Sequence, residues 1–300
     1  MKIYFSALLV LACLFSTAAT GQDFNPYILK AIDKLYKERK GGGYDIHQAF
    51  THNVNYDGAN VIKATKPTLT MCVAAVSEII IYATKIYAEE TGDKSVFTKI
   101  PAKAWTSGGP LSLKANIFMF AGTGSRGTGF TLKEFGLGEE LTFASMKPGD
   151  FVNFNRAKTG HSAVLTGFIH KDNSVSTSYS SDVIGFRYFS AQGKGKPDAG
   201  FAYRNGYFGA CPADAHAPRD CGIIRSTSPV LFNTGRMWSP ERWTYLEAIK
   251  NKTAKTRSIF ETEYPEQSKS AISALVDAEL NKELKFDHGT ETLLDGVTTD

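Results

Sequence analysis

The chain has 300 residues, 42% of them hydrophobic and 21% charged, which excludes a disordered, collagen-like or coiled-coil polypeptide and supplies material for a sizeable core. Its 34 Lys and Arg against 30 Asp and Glu leave a formal net charge of +4. The two signs are well mixed, so there is no basic stripe of the kind that binds nucleic acid.

Residues 1–21 read as a segment apart. Lys2, the apolar run from Ile3 to Phe15 broken at Ser6, and the small residues Ser16 to Gly21 have the layout of a secretory signal peptide. Export to the periplasm or the extracellular space is therefore expected. Val10-Leu11-Ala12-Cys13 loosely resembles a lipoprotein box, which leaves a lipid anchor at Cys13 as an alternative; apolar residues continuing past Cys13 favour simple export. No later run approaches eighteen apolar residues, so no membrane span is expected.

Residues 22–237 read as one domain and 238–300 as a helical appendage with a polar tail. Ile28, Ile32 and Leu35 put a helix over Asn25 to Lys40, stopped by Gly41-Gly42-Gly43. A turn falls at Tyr56-Asp57-Gly58. The strongest helix covers Met71 to Glu90, with Thr70 as N-cap, Gly92 as terminator and a one-sided stripe of Cys72, Ala75, Val76, Ile79, Ile80 and Ala83. A shorter helix is predicted over Leu111 to Phe120, then a glycine-rich loop from Gly122 to Gly129.

The character then changes. Strands are predicted at Phe151 to Asn155, Ser162 to Ile169 and Val175 to Tyr179, with turns at Lys158-Thr159-Gly160 and Lys171-Asp172-Asn173. Two more follow near Gly185 to Ser190 and Phe201 to Phe208. Turns this short imply an antiparallel meander. Ser239-Pro240-Glu241 opens a helix to about Lys250, and a last charged helix covers Gln267 to Leu284. Helices, meander, then helices again make the fold class α+β.

After removal of a leader, Cys72, Cys211 and Cys221 remain. Cys211 and Cys221 bracket a polar loop and form the natural disulfide of an oxidising compartment. That leaves Cys72 at the start of the main helix, where unpaired amide hydrogens and the positive end of the dipole favour a reactive thiolate. His161 opens a strand after a turn and shares a face with Ala163, Leu165 and Gly167, of which the small Ala163 and Gly167 leave room for an imidazole. A histidine is the usual base for a cysteine nucleophile.

The glycine-rich loop lacks the Gly-Lys-Ser/Thr ending of a phosphate cradle. His47 and His52 stand five apart without a completing cluster, so no metal is expected and no cofactor is implied. Asp150 reads as turn chemistry, and Trp238, Trp243 and Tyr245 as aromatics packing a helix onto the domain.

Thr70-Met71-Cys72-Val73, Pro148-Gly149-Asp150-Phe151 and Gly160-His161-Ser162 together resemble the papain-like cysteine peptidases in the compact form of the NlpC/P60 and CHAP amidases. The resemblance spans roughly Tyr44 to Gly209 by architecture, with motif identity confined to those three pieces. It implies a papain-like fold in which Cys72 attacks an amide, His161 shuttles the proton, and a polar group on the following strand, Asp182 or Ser180, orients the ring. Lys66 stands where a papain-type oxyanion glutamine would be, so that donor is either absent or supplied from elsewhere, with the backbone amide of Cys72 as one candidate. The substrate class implied is a peptidoglycan or other peptide amide. Transglutaminase-like acyl transfer and a non-enzymatic envelope binding protein of the same fold are the alternatives.

Overall fold

A computed structural model of the protein describes residues 23–58, 60–156, 159–213, 215 and 219–263. The expected leader with Cys13, Lys158 of the expected turn and the helix expected over Gln267 to Leu284 lie outside them.

In chain order the elements are α1 (Asn25–Arg39), β1 (Gly41–Gly42), the hairpin β2 (Val54–Tyr56) and β3 (Asn60–Ile62), then α2 (Cys72–Thr91). Four short helices follow, α3 (Val96–Lys99), α4 (Lys103–Thr106), α5 (Leu113–Ile117) and α6 (Thr128–Glu134). The sheet region comprises β4 (Gly138–Glu140), β5 (Phe151–Asn155), β6 (Gly160–His170), β7 (Val175–Ser176), β8 (Val183–Gln192), β9 (Gly200–Phe208), β10 (Arg219–Ile223) and β11 (Phe232–Met237). Helix α7 (Tyr245–Glu263) closes the described chain. None of the helices described is long and apolar enough to cross a membrane.

The main sheet runs β1-β9-β8-β6-β5-β11-β4, with β7 added to β6 and β10 to β9. All these pairings are antiparallel except β10 on β9. The class is α+β, as expected, and the β5-β6-β8-β9 meander lies where the turn signals placed it. Alternating residues divide the sheet's surroundings in two. Phe151, Val164, Phe189 and Ala191 join α1 and α2 in the larger core. Val152, Phe154, Ala163, Leu165, Phe186 and Tyr188 face the other way into a smaller, aromatic one.

Helix α2 departs from the predicted one-sided stripe. Every residue from Cys72 to Thr84 is buried, because α1 covers one side and the sheet another. Glu78 survives at the centre, fully buried, because it accepts from the Thr51 amide at 2.9 Å and the Thr51 hydroxyl at 2.6 Å. Thr70 is not the N-cap. Met71 takes that position in extended backbone, and the Thr70 hydroxyl is buried without a partner. Gly92 does end the helix, in the left-handed conformation at φ 76°.

The Pro148-Gly149-Asp150 turn fastens three elements together. Gly149 has φ 95°, and a Cβ there would lie 2.7 Å from the Asn25 side chain. Asp150, wholly buried, accepts from Asn25 Nδ2 at 2.8 Å and from Arg236 Nε and Nη2 at 2.9 and 2.7 Å, joining α1, β5 and β11. Trp243 and Tyr245 are buried in the larger core, and Tyr245 stacks on Phe135, so α7 is fastened to the domain by its first residues.

Candidate active site

Cys72 is the first residue of α2 and is completely buried. Its sulfur takes hydrogen bonds from the backbone amides of Ser162 on β6, of Val73 and of Cys72 itself. Burial pushes the thiol pKa up, and this outweighs the three amides and the Arg156 charge, which all pull it down. The expectation of a thiolate at the helix start is thereby reversed: in this closed arrangement the thiol keeps its proton.

His161 lies next in sequence to Ser162, yet its ring projects into the smaller core. It sits edge-on to Phe154 at 5.4 Å and to Tyr188 at 5.7 Å between ring centroids. Neither ring nitrogen has a hydrogen-bond partner, so no hydrogen bond joins imidazole and thiol. Burial first, then the positive charges of Arg156 and Arg204, hold its pKa well below the ordinary value, so the ring is neutral.

The two residues expected to orient His161 serve another histidine. Asp182 Oδ1 and Ser180 Oγ each lie 3.1 Å from Nδ1 of His170, and Ser176 Oγ lies 2.7 Å from its Nε2. The strand expected over Val175 to Tyr179 ends at Ser176 and pairs β6 at Phe168 and Ile169, the end remote from His161. Seven steps along the strand separate Phe168 from His161, roughly 23 Å.

His161 pairs with Phe154 of β5 on one side, and β8 flanks β6 on the other. Continuing the register from Val164↔Phe189 brings Gln192 level with His161. Gln192 belongs to a buried polar network that sequence reading did not find. Arg156 Nη1 donates to Asp220 Oδ1 at 2.6 Å, with side-chain exposures of 5% and 3%. The Tyr188 hydroxyl contacts both Asp220 and, at 3.0 Å, Gln192 Oε1, while Gln192 Nε2 reaches Asp220 Oδ2 at 3.3 Å. Arg204 lies beside them with its donors spent on backbone carbonyls of Ser190, Gly200 and Asp198. The available signal was Arg204 itself, a charge between Ala202 and Gly206 on an otherwise core-facing stretch.

Asp220 precedes Cys221, which is bonded to Cys211 as expected; their Cα atoms are 5.1 Å apart. The glycine-rich loop ends in α6, whose first amides are taken by side chains: Thr128 N–H by Asn153 Oδ1 at 2.8 Å, Phe130 N–H by Asn233 Oδ1 at 3.1 Å. Lys66 is exposed. No group of His, Cys, Asp and Glu able to hold a metal occurs among the described residues.

No protein-family model matches this chain, and neither a curated protein nor a solved structure matches it.

Proposed function

We propose that the protein is a cysteine hydrolase of amide bonds, held here in a closed resting state. The supporting observation is the docking of the α2 N-terminus onto β6, so that the Cys72 sulfur meets the backbone next to His161 while the Arg156 charge acts on both side chains. In this reading Cys72 attacks the carbonyl and His161 takes the thiol proton and returns it to the leaving amine. Water then releases the acyl group from the thioester. The Ser162 and Val73 amides beside the sulfur are oriented to stabilise developing negative charge. Gln192 replaces Asp182 and Ser180 as the group to orient the ring. The imidazole lies in a slot between Phe154 and Tyr188 on the sheet face opposite α2, so an opening step that reorients the start of β6 must precede chemistry. A peptide amide of peptidoglycan is the substrate class that the motif resemblance favours, in an oxidising compartment consistent with the Cys211–Cys221 disulfide.

A second reading, a binding protein of the same fold, is favoured by the complete burial of Cys72 and its raised thiol pKa. Site-resolved alkylation of Cys72 against pH, in wild type and His161→Ala, with and without peptidoglycan fragments, separates them. The hydrolase requires alkylation that accelerates on adding fragments and slows without His161. A thiol equally inert in all four conditions leaves the binding protein. Incorporation of an added amine without hydrolysis would instead place the activity with transglutaminase-like acyl transfer.

A further inference from the structure

Five buried polar atoms within seven residues of chain have no hydrogen-bond partner: Arg156 Nε and Nη2, His161 Nδ1 and Nε2, and Ser162 Oγ. Buried donors without acceptors are rare, and each calls for a reason. The nearby Arg204 shows that the fold can satisfy a buried guanidinium, since carbonyl oxygens take its donors. Arg156 differs. Asp220 engages only Nη1, leaving Nε and Nη2, and the N–H bonds along that edge of a planar guanidinium are parallel. Two parallel N–H donors match the two oxygens of a carboxylate.

Charge points the same way. Within this network the buried ionic groups are Arg156, Arg204 and Asp220, at 5%, 2% and 4% exposure, and their formal charges sum to +1. Asp198 approaches Arg204 only at 4.0 Å and is half exposed. One monoanion balances this set; a dianion overshoots it.

We propose that the open Nε/Nη2 edge of Arg156, with His161 beside it, is a carboxylate-binding subsite, and that the amides attacked by Cys72 carry a free carboxylate next to the scissile bond. The second half rests on the hydrolase reading above; the first does not. A bound carboxylate offers acceptors to the Arg156 edge and to a His161 N–H; in the hydrolase reading, the opening step that brings His161 to Cys72 carries the substrate's carboxylate with it.

The site is closely covered, so acetate is the probe. Acetate is titrated into full-length protein at pH 7 against sodium chloride of equal ionic strength. The readouts are the imidazole NMR signals of His161 and the melting temperature, with sulfate as a third arm. The expected result is saturable binding of acetate that shifts the His161 signals and raises the melting temperature. Arg156→Lys, which keeps the charge for Asp220 but loses the fork, should bind about tenfold more weakly or worse. No saturable shift in wild type overturns the subsite, whatever the variant does, and sulfate binding as tightly as acetate overturns its assignment to carboxylates. Cys72→Ala should bind acetate unchanged. Acetate binding with an inert thiol therefore keeps the subsite and removes the nucleophile, and a reactive thiol without acetate binding does the reverse.

Discussion

Asp220 is the shared acceptor of the buried network around Arg156. Replacing it with Ala leaves the Arg156 guanidinium, 5% exposed, without its counter-charge, and removes the acceptor shared by Tyr188 and Gln192. Breaking a buried ion pair from one side costs about 3–5 kcal/mol, because the surviving charge has neither water nor a partner. For a domain of this size each kcal/mol moves the melting temperature by about 2–4 °C, so Asp220→Ala should lower it by roughly 6–20 °C. The assay is thermal unfolding followed by circular dichroism on unreduced protein, for Asp220→Ala, Arg156→Met and the double variant. The double variant removes both charges and should be more stable than Asp220→Ala alone. A loss of under about 1 kcal/mol for Asp220→Ala, or strictly additive losses in the double, would refute the claim that a desolvated pair sits at this position.

The buried, neutral His161 gives a pH signature. Its folded pKa lies well below its unfolded value, so the unfolded chain binds the extra proton, and stability falls as pH drops below about 6.5 at up to about 1.4 kcal/mol per pH unit. His161→Phe, which suits the slot between Phe154 and Tyr188, should flatten that acid limb in urea melts; an unchanged slope would mean the ring is not buried. The raised Cys72 pKa acts at the other end, with stability lost as pH climbs past the ordinary thiol value of 9.0 in wild type and not in Cys72→Ala. Asp182→Ala, at a solvent-accessible side chain, should leave the melting temperature close to that of wild type and Cys72 alkylation unchanged, since Asp182 meets His170. Gly200→Ala should cost about 3 kcal/mol or more in denaturant melts, because its φ is 102° and the added Cβ would meet the Gly41 carbonyl oxygen at 1.7 Å.

The strand pattern was legible where alternation and turn residues agree. β5 falls on Phe151–Asn155 as predicted, and β6, β8 and β9 extend their predicted cores by one to two residues at their ends. β11 was missed because Phe232–Met237 carries Asn233 and Gly235 in place of an apolar alternation. Its glycine answers to a neighbour remote in sequence, since a Cβ on Gly235 would lie 2.3 Å from Gly129. At the candidate site, period two correctly put His161 with Ala163 and Leu165. It could not say which face α2 would cover, and the helix chose the face of Val164. The third residue went astray for a related reason. Adjacency in sequence made Ser180 and Asp182 the neighbours of His161, whereas β7 pairs β6 only at Phe168 and Ile169, and β6 at His161 lies between β5 and the end of β8.

The sheet's longest strands, β6, β8 and β9, are all interior, and what remains at its margins is short. One end of the strand order is β1, two glycines; the other is β4, three residues of which two are Glu139 and Glu140. β9 is further guarded because β1 takes its first residues and β10 its last. Another chain seeking to extend this sheet through backbone pairing would find few open amides at one margin and two carboxylates at the other. Concentrated solutions of the oxidised protein should accordingly resist edge-to-edge aggregation, and reduction of Cys211–Cys221, by loosening β10, should be the treatment that exposes the flank of β9 to it.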